Sequence, residues 1–126
     1  MAWDTYKISE DQMGRNMPAI SIGHNRLGIN VAACELLNQK KEQFTHVQFL
    51  TDKQRPKSIG MRFWKYETND CVPLSQKENN GKPIGGLEVV NALLLKEIFP
   101  KYADKKTVTK FKVHSEGNYI LVIDMD

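Results

Sequence analysis

The sequence predicts an α+β domain in which two βαββ units pack about a pseudo-twofold axis into one small, nearly closed barrel. Three observations predict it. The chain has 126 residues, 40% of them hydrophobic and 26% charged, the size and composition of one globular domain able to bury about two thirds of its surface. The order strand, helix, hairpin occurs twice, over about 18–66 and 71–126, with negligible residue identity between the halves. A single such unit has hairpins too thin to hide their apolar faces. Two facing units solve the burial and give the edge strands partners.

Residues 1–17 show no hydrophobic period and predict an N-terminal arm ahead of a single domain at 18–126. Ala19 to Gly23 alternates like a strand, His24-Asn25 reads as a tight turn, and Arg26 to Ile29 continues the extended pattern. Asn30 is an N-cap for a helix over Val31 to Leu37, with Asn38 as its C-cap, and Gln39 to Gln43 is a polar loop. His46 to Leu50 and Ser58 to Trp64 form a hairpin whose turn chemistry spans Asp52 to Lys57. Ile59, Met61 and Phe63 point to one face, Arg62 and Trp64 to the other.

Residues 67–86 read as polar loop containing a short edge strand at Cys71 to Leu74. Leu87 to Phe99 is predicted as the longest helix. Leu87, Val90, Leu94 and Ile98 form its stripe, Leu93 widens it, and Pro100 ends it. Thr107 to His114 and Tyr119 to Met125 make the second hairpin around Ser115-Glu116-Gly117-Asn118.

The stretch Arg26 to Leu37, followed by Val47-Gln48-Phe49-Leu50 and Ile59-Gly60-Met61-Arg62-Phe63, resembles the swapped-hairpin DNA-binding domain of AbrB/MazE-type regulators. It also resembles small phage and Gram-positive bacterial proteins that carry two such units in one chain. In those regulators two chains build one barrel, so the resemblance implies a pseudo-dimer within a single polypeptide. The chain departs from the family at Asn30, where proline is common, and at Cys34, where an arginine helps contact nucleic acid. That contact does not carry over.

The formal net charge is +3, from 18 Lys+Arg against 15 Asp+Glu. This is mild for a charge-driven binder, but the charge is local. Lys53, Arg55, Lys57, Arg62 and Lys65 are offset only by Asp52, and a second cluster joins Lys101, Lys105, Lys106, Lys110 and Lys112. No apolar run approaches the ~20 residues of a membrane span, and the opening residues lack the layout of a signal peptide. The expectation is a cytoplasmic protein with Cys34 and Cys71 reduced.

Enzyme chemistry finds little footing. His24, His46 and His114 are scattered without metal-ligand spacing, and no local signature supports a Cys34–His46 or Cys34–His114 nucleophile pair. Asp124 and Asp126 alone make no acid/base site. Asn80 to Gly86 lacks the Gly-Lys-Ser/Thr ending of a nucleotide loop and reads as a flexible connector. No cofactor or metal is implied.

The expectation is a non-enzymatic nucleic-acid-binding protein with a basic hairpin face, DNA favoured. Lys53, Arg55, Lys57, Arg62, Lys65, Lys110 and Lys112 neutralise phosphates, and Trp64 stacks on bases. The alternative is a protein-interaction module, such as a phage factor acting on a host or viral protein. Trp3, Tyr6, Trp64 and Tyr66 would be its anchors. The sequence leaves open whether the chain pairs into a homodimer.

Overall fold

The structure, a computed structural model, describes residues 2–7, 17–37 and 43–125. Its elements run β1 Ala19–Gly23, β2 Arg26–Ile29, α1 Val31–Leu36, β3 His46–Asp52 and β4 Arg55–Trp64. They continue with β5 Val72–Pro73, β6 Ser75–Asn79, β7 Lys82–Val89, α2 Ala92–Ile98, β8 Thr109–Ser115 and β9 Ile120–Asp124. The strands pair antiparallel in the order β5-β3-β4-β9-β8-β1-β2-β7-β6 and curl into a nearly closed barrel.

The predicted α+β fold of two βαββ units is therefore overturned. Nine strands and only two short helices occur among the described residues, and the two strands read ahead of α1 pair as a hairpin of one continuous sheet rather than as part of a βαββ unit. Three more precede α2: β5 falls within the edge strand expected at Cys71 to Leu74, while β6 and most of β7 are built from residues read as polar loop. The physical reason is visible in β6. Ser75, Gln76 and Glu78 are exposed and Lys77 is half-buried, so an edge strand facing water carries no apolar alternation.

The predicted helix over Leu87 to Phe99 is also corrected. Leu87 and Val89 face the core from β7, in register with Ile29 and Leu27, while Glu88 points out. Val90 and Leu93 of the expected stripe are 55% and 85% exposed. The helix begins only after Asn91, whose side-chain oxygen accepts from the Leu94 N–H at 3.1 Å. Period two wins through Val89 because the sheet supplies hydrogen-bond partners that an isolated short helix lacks.

The turn predicted over Asp52 to Lys57 shrinks to residues 53–54, since β4 begins at Arg55. The loop expected at Glu78 to Pro83 is a turn at Asn80-Gly81, both with positive φ, between β6 and β7. Gly85 and Gly86 lie inside β7 with φ of 85° and 84°. A Cβ at Gly86 would stand 2.5 Å from the Ile29 carbonyl oxygen, so glycine lets β7 approach β2 closely. Of the expected connector glycines, Gly85 and Gly86 are thus sheet residues, while Gly81 closes the turn.

The first two strands, their turn and the α1 N-cap follow the sequence reading. Asn38 and positions 39–42 of the polar loop after it lie outside the described residues, as do positions 1 and 8–16 of the expected arm, whereas residues 2–7 are exposed. Inside the barrel Ile20, Ile22, Leu27, Ile29, Val47, Met61, Phe63, Leu121 and Ile123 are buried at alternating strand positions. Helix α1 packs against β7, β8 and β1, and α2 against β2. Beyond α2, the fully buried Phe99 meets Phe49 edge-on, with centroids 6.2 Å apart.

Closure is unusual. Strands β5 and β6 stand at the two ends of the strand order and are joined by Leu74 alone. The covalent chain, not a ladder, brings the two sheet edges together. The Leu74 N–H donates to the Thr45 carbonyl at 2.8 Å and fixes this joint beside β3.

Two stability predictions follow from these contacts. Asn30 accepts from the backbone N–H groups of Ala33 and Ala19 and donates to the Met17 carbonyl, at 2.9, 3.1 and 2.7 Å. Asn30→Ala is expected to cost about 2 kcal/mol, the upper end for a cap, because it frees a strand amide as well. Phe99→Ala, which empties a fully buried aromatic site, is expected to cost about 3–5 kcal/mol. Urea unfolding of each variant against the parent checks both values.

Candidate nucleic-acid interface

Strand β4 carries half of the expected site, and its length divides that half in two. Arg55 and Trp64 are its first and last residues, so about 30 Å of extended chain separates them. Lys53 lies in the turn before β4, and Lys57 near its beginning. Arg62, Trp64 and Lys65 lie at the other end.

At the first end Arg55 is already engaged. Its guanidinium donates to both Glu116 oxygens at 2.6 and 3.1 Å, and its Nε to Asp52 at 3.1 Å. The pair joins the β3–β4 turn to the β8–β9 turn. Glu116 also meets His114 Nε2 at 3.0 Å, and Asp124 lies 3.5 Å from His114 Nδ1 while accepting from Ser58. Hydrogen bonds from Arg55 and then His114 hold the Glu116 carboxyl at about 2, down from 4.5. Asp52 is lowered by the Gln54 amide and then Arg55. Arg55, expected as a phosphate contact, serves here as a clamp between hairpin tips.

Lys110 and Lys112 face outward on β8, opposite Ser21 and Ala19 of β1. Val113 pairs with Ile123, which pairs with Ile59, so Lys112 lies level with the Ser58 end of β4. The structure therefore does not bring these lysines beside Trp64. The half-buried Lys77 ammonium lies over Gly28 of β2, and burial lowers its pKa.

At the second end the register assembles an aromatic cleft. Gln48 pairs with Arg62 and His46 with Trp64, so Gln48, Arg62 and Trp64 share the outer face of β3 and β4. The Trp64 Nε1–H donates to Gln48 Oε1 at 2.7 Å, which fixes the indole. Arg62 also pairs with Ile120 of β9, and the Phe63 N–H donates to the Tyr119 carbonyl at 2.9 Å. Tyr119 is thereby held beside the end of β4.

The resulting cleft has a volume of about 460 Å³. Arg62, Trp64, Lys65, Tyr66, Asn118 and Tyr119 line it, over buried Phe44 and Phe63. Trp64 and Tyr66 stand 5.7 Å apart at 58°, and Phe44 and Tyr119 5.2 Å apart at 56°. Among the described residues Arg62 has no ion pair, so its charge faces the cleft uncompensated. Sequence reasoning found Arg62, Trp64, Lys65 and Tyr66 but missed Phe44, Asn118 and Tyr119. The Gly117-Asn118 turn signal was present, but the strand expected from Tyr119 hid that this residue has φ of 60°.

Cys34, where the resembling family places a contacting arginine, is buried against the core. Desolvation pushes its thiol up to about 11, so it is a poor nucleophile at neutral pH. It packs as a small buried hydrophobe. Among the described residues no helix is long and apolar enough to cross a membrane. No family model, curated protein or solved structure matches this chain.

The hairpin-tip clamp gives a pH prediction. Because the Glu116 carboxyl is depressed on folding, its contribution to stability is complete above pH 4.5 and is lost as pH falls toward 2. Asp52 shifts in the same direction. Stability measured by urea unfolding across this window should fall more steeply for the parent than for Glu116→Gln. Equal slopes would show that the clamp is not coupled to folding.

Proposed function

We propose that this chain is a non-enzymatic nucleic-acid-binding protein, with DNA favoured, that uses the cleft at the end of β4. The observation that carries this reading is the convergence of Arg62 with Trp64, Tyr66 and Tyr119 around one open volume. A cation neutralises phosphate and releases counterions, while fixed aromatic rings offer stacking surface. The resemblance to swapped-hairpin regulators points the same way and suggests a phage or bacterial setting. In a cytoplasm Cys34 and Cys71, both free thiols, would stay reduced.

The binding surface in this reading is smaller than the whole basic hairpin. Lys53, Lys110 and Lys112 add favourable potential at a distance, and Arg55 acts through the clamp. Arg62→Ala should therefore weaken binding and lower the slope of log affinity against log salt by about 1. Arg55→Ala should leave that slope nearly unchanged and act on stability. Mobility shifts at two salt concentrations read both effects, and a salt slope insensitive to Arg62 would sink the assignment.

A second reading, a protein-interaction module, is favoured by Leu93 and Trp3, which are 85% and 86% exposed. Large apolar side chains so exposed are candidate anchors. Its binding would be largely indifferent to salt and to Arg62, so the same titration separates the two readings.

A further inference from the structure

We infer that the cleft receives an unpaired nucleobase, which makes single-stranded nucleic acid, rather than duplex, the ligand class of this protein. The inference rests on the nucleic-acid reading above and narrows it. Its ground is the way the rings are held. The indole of Trp64 is fixed by its bond to Gln48. Tyr66 and Tyr119 are 62% and 43% exposed, so both present ring surface to solvent. Phe44 backs Tyr119 from the buried side.

The backbone adds an independent observation. Gly117, Asn118 and Tyr119 all have positive φ, at 82°, 51° and 60°. Glycine and asparagine accept this region readily, whereas a bulky aromatic residue there is an outlier. A smaller residue would close the same turn with less strain. The strained position nevertheless carries a ring that lines the same cleft as Trp64, and strain of this kind gathers at ligand sites.

The chemistry then selects the ligand. Bases inside a duplex are stacked on both faces and offer no ring surface, whereas an unpaired base offers two. The cleft supplies aromatic surface, the Asn118 amide as donor and acceptor for a base edge, and the Arg62 cation for the adjoining phosphate. Few cations line it, so the salt slope should be shallow, about −0.7 for each phosphate neutralised on a single strand. Binding held mainly by stacking is the result.

The test uses the full chain carrying Trp3→Phe, which leaves Trp64 as the sole tryptophan of the two in the sequence. An oligothymidylate single strand and a blunt duplex are titrated at about 50 mM salt, where electrostatic binding is strong. Tryptophan fluorescence and mobility shift are followed together. The expected result is quenching of Trp64 by the single strand and at least about tenfold weaker binding of the duplex. Tyr119→Asn, which suits the left-handed backbone, should lose about tenfold in single-strand affinity while keeping the fold, and Tyr119→Phe should retain it. Equal affinity for both probes without quenching overturns the unpaired-base inference while the nucleic-acid reading survives. Binding of neither probe overturns that reading and the inference with it.

Discussion

The interior of this barrel can be dried only by strands that lie far apart in the chain. Two antiparallel ladders do it: β4 against β9, pairing Ile59 with Ile123 and Met61 with Leu121, and β1 against β8, pairing Ile20 with Phe111. Each inward row then meets another apolar row across a strand boundary, where burial of about 25 cal/mol per Å² is realised. The helices contribute little of their own. With six and seven residues they are too short to persist in water and are held by caps and by the core beneath them.

The same ladders place the cleft. Because Arg62 is the register partner of Ile120, the residue before Ile120 must emerge beside the end of β4, where Trp64 and Tyr66 stand. A slip of one residue would turn Arg62 and Trp64 inward and Phe63 outward. The site is thus a product of register: the end of β4 fixes Arg62 and Trp64, and the turn before β9 brings Tyr119 beside them. The ionic clamp at the far end serves the same geometry by joining the two hairpin tips that flank the β4–β9 ladder.

Much of the local structure was legible in the sequence. The alternation from Ala19 to Ile29, the Asn30 cap and both hairpins followed from side-chain period and turn chemistry alone. The failures share a cause. Residues 67–86 face water on one side and the sheet margin on the other, so Ser75 to Glu78 carry polar residues where a core strand would alternate. Leu87 to Ile98 fits periods of both two and 3.6 over a few residues, and only pairing with β2 decides between them. At the site, Arg62 and Trp64 could be seen on a single strand face. Tyr119 could not, because its contribution depends on a pairing between strands nearly sixty residues apart and on an unusual backbone angle. Nor could the loss of Arg55 to Glu116, a partner 61 positions away.

The pairing of β1 with β8 also bears on how the chain is made. Ala19 meets its ladder partner across the β1–β8 boundary in Lys112, so during vectorial synthesis the first hairpin must wait for β8 to leave the ribosome. Until then one margin of β1 and the apolar sides of Ile20 and Ile22 have no cover. Folding of this barrel is therefore of high contact order and slow for its size. The growing chain is in its most adhesive state just before β8 and β9 arrive.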